Sequence, residues 1–260
     1  MPHRLSFALL SLLLVVVASA CQVHTTVTVD MAADGSGTVE VAVGLDADAL
    51  ARVPDADGDG TSGPADLAAV VRADDLEAAG WTVSEPQTDG DAADGSSGQS
   101  GTTWLRVTRP FGTPEEADRI LAELTGPSGP LRDLHVTRSD SFGRTELAFT
   151  GTADLSGGLE AFGDQGLAAV LEGEPLGEDA AAIEARIGRP LADAFTVEIT
   201  SRLDGDETSW SPRLGDAPLE MAAQSTSYDW PVLVLSAVAV LALVALPAVL
   251  IARTVRSRRS

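Results

Sequence analysis

Four aspartates carry the sharpest chemical pattern in the chain. Asp55, Asp57 and Asp59, followed by Gly60 and then Asp66, fall where a calcium loop of the EF-hand type places its first, third, fifth and twelfth residues, with glycine at the sharp turn. Three clustered carboxylates repel one another unless a hard cation or water separates them, and a helix is expected to follow at Leu67. The pattern departs from such loops at Ser62, where an apolar residue is usual, at Pro64, and in ending on the shorter Asp66. No strong entering helix precedes it either. Two readings follow: a weak calcium site of the extracellular type, with a dissociation constant of about 10⁻⁴ to 10⁻³ M, or a solvated acidic loop, which a chain this rich in Asp and Gly readily produces.

Gly58, Gly60 and Gly63 also satisfy a G-x-G-x-x-G spacing, but no apolar strand leads into it, and Asp57 and Asp59 would repel a pyrophosphate. Past the first twenty residues the only histidines are His24 and His135, and neither G-x-S-x-G nor H-E-x-x-H occurs. Hydrolase machinery is not visible, so no enzyme and no catalytic residue is expected; an acidic site assembled from scattered Asp and Glu is the remaining enzymatic alternative. His135, between Leu134 and Val136, is expected to face solvent from a strand. Glu115 and Glu116 suit a helix N-terminus, where negative charge is favoured, and Asp74 with Asp75 a polar helix face.

The chain has one cysteine, which excludes an internal disulfide framework, a Cys-based zinc site and a two-thiol redox pair. Its position explains it. Residues 1–20 hold Arg4, an apolar run from Leu5 to Val17, and the small residues Ala18, Ser19 and Ala20 immediately before Cys21. This is a secretory signal, and Ala-Ser-Ala-Cys resembles a lipobox in which Cys21 takes a diacylglycerol on its sulfur and becomes the new N-terminus.

At the other end, Pro231 to Ile251 is uncharged and apolar, close to the ~20 residues needed to cross a hydrocarbon core. Tyr228, Asp229 and Trp230 precede it, and Arg253, Arg256, Arg258 and Arg259 follow, which fits an outer aromatic belt and a positive inner side. The expected division is therefore a lipoprotein signal peptide over 1–20, an exported domain over 21–229, a transmembrane helix over 230–252 and a cytoplasmic tail over 253–260.

Composition sets the bounds. With 260 residues, 44% hydrophobic and 22% charged, a packed core is expected and disorder is not. Setting aside Arg4 and the four tail arginines leaves 12 of the 17 cations against all 39 acids, a balance near −27. Nucleic acid is a poor partner for such a surface. Anionic headgroups are repelled as well, so contact with lipid beyond the two anchors requires apolar surface or a pocket.

Between the ends, Val23, Thr25, Val27 and Val29 alternate with polar neighbours, residues 34–37 supply a turn, and Val39, Val41 and Val43 alternate again, giving a β-hairpin. Pro64 to Ala79 is expected to be an amphipathic helix and Trp81 to Glu85 the start of a strand. Pro86 to Gly101 reads as a solvated loop, with the sheet resuming around Trp104 to Arg109. Thr113, Pro114 and Glu116 form a helix start with a capping box. A second hairpin is expected over 134–138 and 144–151, helices over 155–171 and 179–187, and strands over 195–203 and 219–225. The fold class is thus α+β, a mainly antiparallel sheet of hairpins with flanking helices, plus one C-terminal transmembrane helix.

Particular residues then meet a known pattern. Ala79-Gly80-Trp81-Thr82-Val83, the run Arg109 to Ala117, Gly129-Pro130-Leu131-Arg132-Asp133-Leu134, and Trp210 leading to Arg213-Leu214-Gly215-Asp216 resemble the LppM-type lipoproteins of actinobacteria over nearly the whole mature chain. The resemblance implies an envelope lipoprotein with an exported α+β domain and a C-terminal span; mycobacterial members are implicated in envelope lipid binding and host interaction. It supplies no catalytic residues. The function expected is that of a non-enzymatic protein held at the cell membrane by acylated Cys21 and the span, its exported domain binding an envelope lipid or protein. A calcium-stabilised structural domain is the alternative.

Overall fold

The computed structural model describes residues 22–51, 53, 63–71, 73–89, 101–125, 129–158, 184, 190–239, 241 and 243. Among the described residues ten strands form two sheets. β1 (Val23–Met31) and β2 (Gly37–Leu45) are the predicted first hairpin. Alternation sends Val27, Val29, Met31, Val39, Val41 and Val43 inward, where each is nearly inaccessible to water. Their turn is closed by the Asp34 carboxylate, which accepts from the Ser36 hydroxyl at 2.6 Å and the Ser36 N–H at 3.0 Å. Those two bonds, the hydroxyl first, hold the Asp34 carboxyl below its ordinary range.

A short helix, α1 (Ala47–Leu50), follows β2, and the helical stretches α2 (Pro64–Val71) and α3 (Ala73–Ala78) lie within the range of the expected helix, residue 72 between them being outside the described residues. Leu67, Val71 and Leu76 are their buried contacts. β3 (Thr82–Val83) and β4 (Gln87–Thr88) both pair with β5 (Thr103–Phe111), so part of the expected loop joins the sheet. α4 (Pro114–Thr125) buries Ala117, Ile120 and Leu121. Its cap is the predicted Thr113, whose hydroxyl accepts from the Glu116 N–H at 3.3 Å; the Glu116 carboxylate reaches back to the Gly112 N–H at 2.8 Å, one residue earlier than a standard capping box.

β6 (Leu131–Ser141) and β7 (Arg144–Ala153) form the second predicted hairpin, longer at both ends, and β10 (Leu219–Tyr228) pairs with β7 to complete a three-stranded sheet. After a short helix, α5 (Leu191–Ala194), β8 (Phe195–Leu203) returns to the large sheet and lies parallel to β1. β9 (Asp206–Trp210) pairs antiparallel to β8 through a turn at Asp204 and Gly205, both at positive φ. The large sheet runs β3-β5-β2-β1-β8-β9, with β4 also on β5. One apolar core joins the two sheets and the helices, with Phe149 of β7 stacked at 5.6 Å on Trp210 of β9. The expected helices over 155–171 and 179–187 fall almost wholly outside the described residues.

One part of the expected fold class is corrected. The α+β body with mostly antiparallel strands is present, but among the described residues no helix is long and apolar enough to cross a membrane. A helix does begin at residue 230 and is described without a break only to residue 239. Apart from residues 241 and 243, the rest of the expected span, the arginine tail and the leader lie outside the described residues.

Candidate functional site

Of the four candidate calcium ligands, Asp55, Asp57 and Asp59 lie outside the described residues. Asp66 is buried in the first turn of α2, and its Oδ2 accepts from the Gly63 N–H at 2.7 Å. That bond gives the carboxylate a helix-capping role: with Gly63 as the cap residue, the third residue of the helix satisfies one of the orphan N–H groups. Among the described residues no group of three or more His, Cys, Asp or Glu side chains is gathered as metal ligands would be.

His135 lies on the outer part of β6, as expected, and its Nδ1 is 3.1 Å from Oδ2 of Asp118 on α4. The other oxygen of Asp118 accepts from the Val136 N–H at 2.9 Å. The pairing of β6 with β7 slips between Arg132 and His135, and Asp133 adopts a positive φ there. Asp118 thus serves a backbone donor beside a strand irregularity, a structural task. His24 lies 6.1 Å from the Trp104 ring on the outer face of the large sheet. The two histidines sit on different layers and do not share a site.

The outer face of the large sheet holds a shallow groove of about 240 Å³ between Thr26, Thr28, Glu40, Trp104, Arg106 and Arg202. Trp104 lies across Gly44, where a Cβ would meet ring atoms at 2.9 Å, and its Nε1 donates to Asp89 at 2.6 Å. The cations are engaged: Arg106 lies 5.7 Å from the Trp104 ring centre and 4.0 Å from Glu40, and Arg202 donates to Glu207 at 2.6 Å. The Glu207 bond raises the Arg202 pKa further. The groove presents hydroxyls and balanced charge, with no nucleophile set beside a base.

Sequence reasoning missed a different surface. Beyond Val136, residues 137–141 of β6 are exposed, with Arg138 donating to the Ala33 carbonyl of the β1–β2 turn at 2.8 Å. At the tip of the β6–β7 hairpin Phe142 is 72% exposed, with Tyr228 at 53% and Trp230 at 67% beside it. The Tyr228 and Trp230 rings are 6.3 Å apart, and the Asp229 N–H donates to the Gly143 carbonyl at 3.0 Å, tying the tip to the end of β10. Gly143 admits Leu233 so closely that a Cβ there would stand 2.6 Å from its Cδ2. The sequence signal was a phenylalanine in a hairpin turn, where polar residues are usual; its distance from Tyr228 in the chain concealed the cluster.

Cys21 lies outside the described residues, and the fold begins right behind it. The Gln22 N–H donates to Asp46 Oδ2 at 2.7 Å, the Asp46 N–H donates to the Gln22 carbonyl at 3.2 Å, and β1 starts at Val23.

No family model matches the chain, and no curated protein matches it. Among solved structures the chain is similar to the folded domain of the LppM protein of Mycobacterium tuberculosis, determined by NMR, at a TM-score of 0.35 and 10% identity, covering 81% of this chain and 93% of that one. A likeness this weak says nothing about what either protein does.

Proposed function

We propose that the chain is a non-enzymatic cell-envelope lipoprotein, exported, cleaved before Cys21 and acylated there, whose α+β body binds an envelope lipid or protein on the outer side of the membrane. The observation that carries the reading is the junction at residue 22. The only cysteine of the chain stands one residue after three small residues and two residues before a nine-residue strand whose pairing on both sides is continuous. Cleavage before Cys21 would leave a mature chain whose first residues enter the sheet directly, with Gln22 already fixed by Asp46. A signal peptide is removed without touching such a domain.

Acylation brings the body to a bilayer, and a second contact is needed to keep it there, because one acyl chain gives only marginal membrane binding. A binding role suits the available chemistry: His135 is held by Asp118, and the groove cations are matched by carboxylates. Metabolic labelling with a clickable fatty acid tests the attachment. The wild-type chain takes label and Cys21→Ala does not; label retained in that variant refutes attachment at Cys21.

A further inference from the structure

We infer that the groove on the outer face of the large sheet is a binding site for a neutral glycan, a short run of uncharged sugar residues laid across the strands from β5 to β8. The strand register builds the site. Arg106 of β5 stands opposite Ala42 of β2, Ala42 opposite Thr26 of β1, and Thr26 opposite Glu198 of β8. The next row sets Glu40 beside Thr28 and Thr28 beside Thr200. Crossing β5, β2, β1 and β8 takes three inter-strand steps, about 14 Å. Ala42 and Thr26 keep the middle of the groove low, while the longer side chains of Trp104 and Arg106 at one end and Glu198 and Arg202 at the other form its rims.

Charge, hydrogen-bonding capacity and the one aromatic ring together select an uncharged polyol. Two guanidinium groups and two carboxylates line the groove, and Arg106 lies against Glu40 while Arg202 donates to Glu207. A phosphate or a nucleic acid therefore finds no unmatched cation there, and a cationic ligand meets an arginine on either rim. The hydroxyls of Thr26 and Thr28 and the carboxylate of Glu198 have no hydrogen-bond partner among the described residues. Each hydroxyl can donate and accept at once, and the carboxylate accepts on both oxygens, which matches a ligand built of hydroxyl groups. Trp104 is half-buried, lies across Gly44 and is fixed by its bond to Asp89. Its electron-rich ring attracts the polarised C–H groups of a sugar. Trp104 and Ala42 are the apolar members of the lining among the described residues, too little apolar surface for an acyl chain or the apolar face of a helix.

The inference goes beyond the envelope-lipoprotein reading and stands whether or not Cys21 is acylated. Saturation-transfer NMR on the full chain tests it, in a zwitterionic detergent that has no sugar headgroup to compete. The probes are neutral hexasaccharides of glucose, galactose and mannose, with a hyaluronan hexasaccharide as the acidic counterpart. The expected result is transfer to a neutral oligosaccharide and far less to hyaluronan. The double variant Thr26→Val, Thr28→Val keeps the β-branched shape, removes two hydroxyls that the fold does not use, and should weaken binding about tenfold. Glu198→Gln, which loses a charged acceptor, should weaken it several-fold, and both variants should melt with the wild type. No transfer to any of the neutral oligosaccharides overturns the inference. Tighter binding of hyaluronan does so too, by marking an anion site, as does binding unchanged in both variants, which would put the sugar elsewhere on the molecule. None of these outcomes bears on acylation at Cys21, and a Cys21 found unacylated leaves this result standing.

Discussion

Ser201 offers the most exacting test of how the two sheets pack. It sits in the C-terminal half of β8, level with Val29 of β1 and Thr208 of β9, and is 0% exposed. Its hydroxyl has no hydrogen-bond partner among the described residues. Folding removes that hydroxyl from water without replacement, at a cost of about 1–3 kcal/mol. Ser201→Ala deletes the oxygen and leaves a void smaller than a methyl group, which costs less than about 1 kcal/mol. The balance favours the variant by roughly 1 kcal/mol, or about 2–4 °C in Tm for a domain of this size. The residue next to it supplies the opposite sign. Thr200 faces outward and its hydroxyl meets Ser209 Oγ at 2.9 Å, so Thr200→Ala should lower stability by about 0.5–1.5 kcal/mol. Thermal unfolding followed by far-ultraviolet circular dichroism of the full chain in detergent measures both. A Ser201→Ala protein that melts below wild type would refute the assignment of Ser201 as an unpaired core hydroxyl, and with it the inward register of β8.

Three further outcomes follow from single contacts. Asp118→Ala strips the partner from the Val136 N–H beside the β6 irregularity and should cost about 1–3 kcal/mol, while Asp118→Asn, which keeps an amide oxygen there, should cost less; chemical denaturation separates them. Asp66→Asn weakens the bond to the Gly63 N–H and should lower Tm by the same amount with calcium or with EDTA, whereas a loss seen only with calcium would restore the Asp55, Asp57 and Asp59 loop as a metal site. Gly37→Ala would place a Cβ 1.9 Å from the Asp30 carbonyl oxygen and 2.6 Å from Phe111 Cζ, so the variant should lose about 1–3 kcal/mol or more, read from its denaturation midpoint.

The strands were legible where alternation is strict. Val23 to Val43 and Phe195 to Leu203 announce an inner face every second residue, and that face is the core. The second hairpin was legible too, although its length was underestimated because Arg138 to Ser141 lack an apolar period once the hairpin leaves the core. β9 was missed despite a clear local signal, Asp204-Gly205 between two extended runs, because Asp206 to Trp210 has little apolar content and borrows its place from β8. The parallel pairing of β1 with β8 has no local signature: it depends on a connection that first carries the chain through β2, β5 and the β6–β7 hairpin of the small sheet. The transmembrane expectation rested on hydropathy over 231–251, and among the described residues no helix is long and apolar enough to cross a membrane.

The candidate sites divide along the same line. Sequence spacing placed the Asp loop and Cys21 in view because both are local. The aromatic end joins Phe142 to Tyr228 and Trp230 through the pairing of Arg144 with Tyr228, a register that only the folded sheet supplies.

Mass spectrometry of the N-terminal peptide from the protein purified out of membranes goes straight to the proposed attachment. An exported lipoprotein should yield a peptide beginning at Cys21 with a diacylglycerol on its sulfur and Gln22 next. A peptide that begins at Met1, or a Cys21 carrying an unmodified thiol in the membrane fraction, would contradict it.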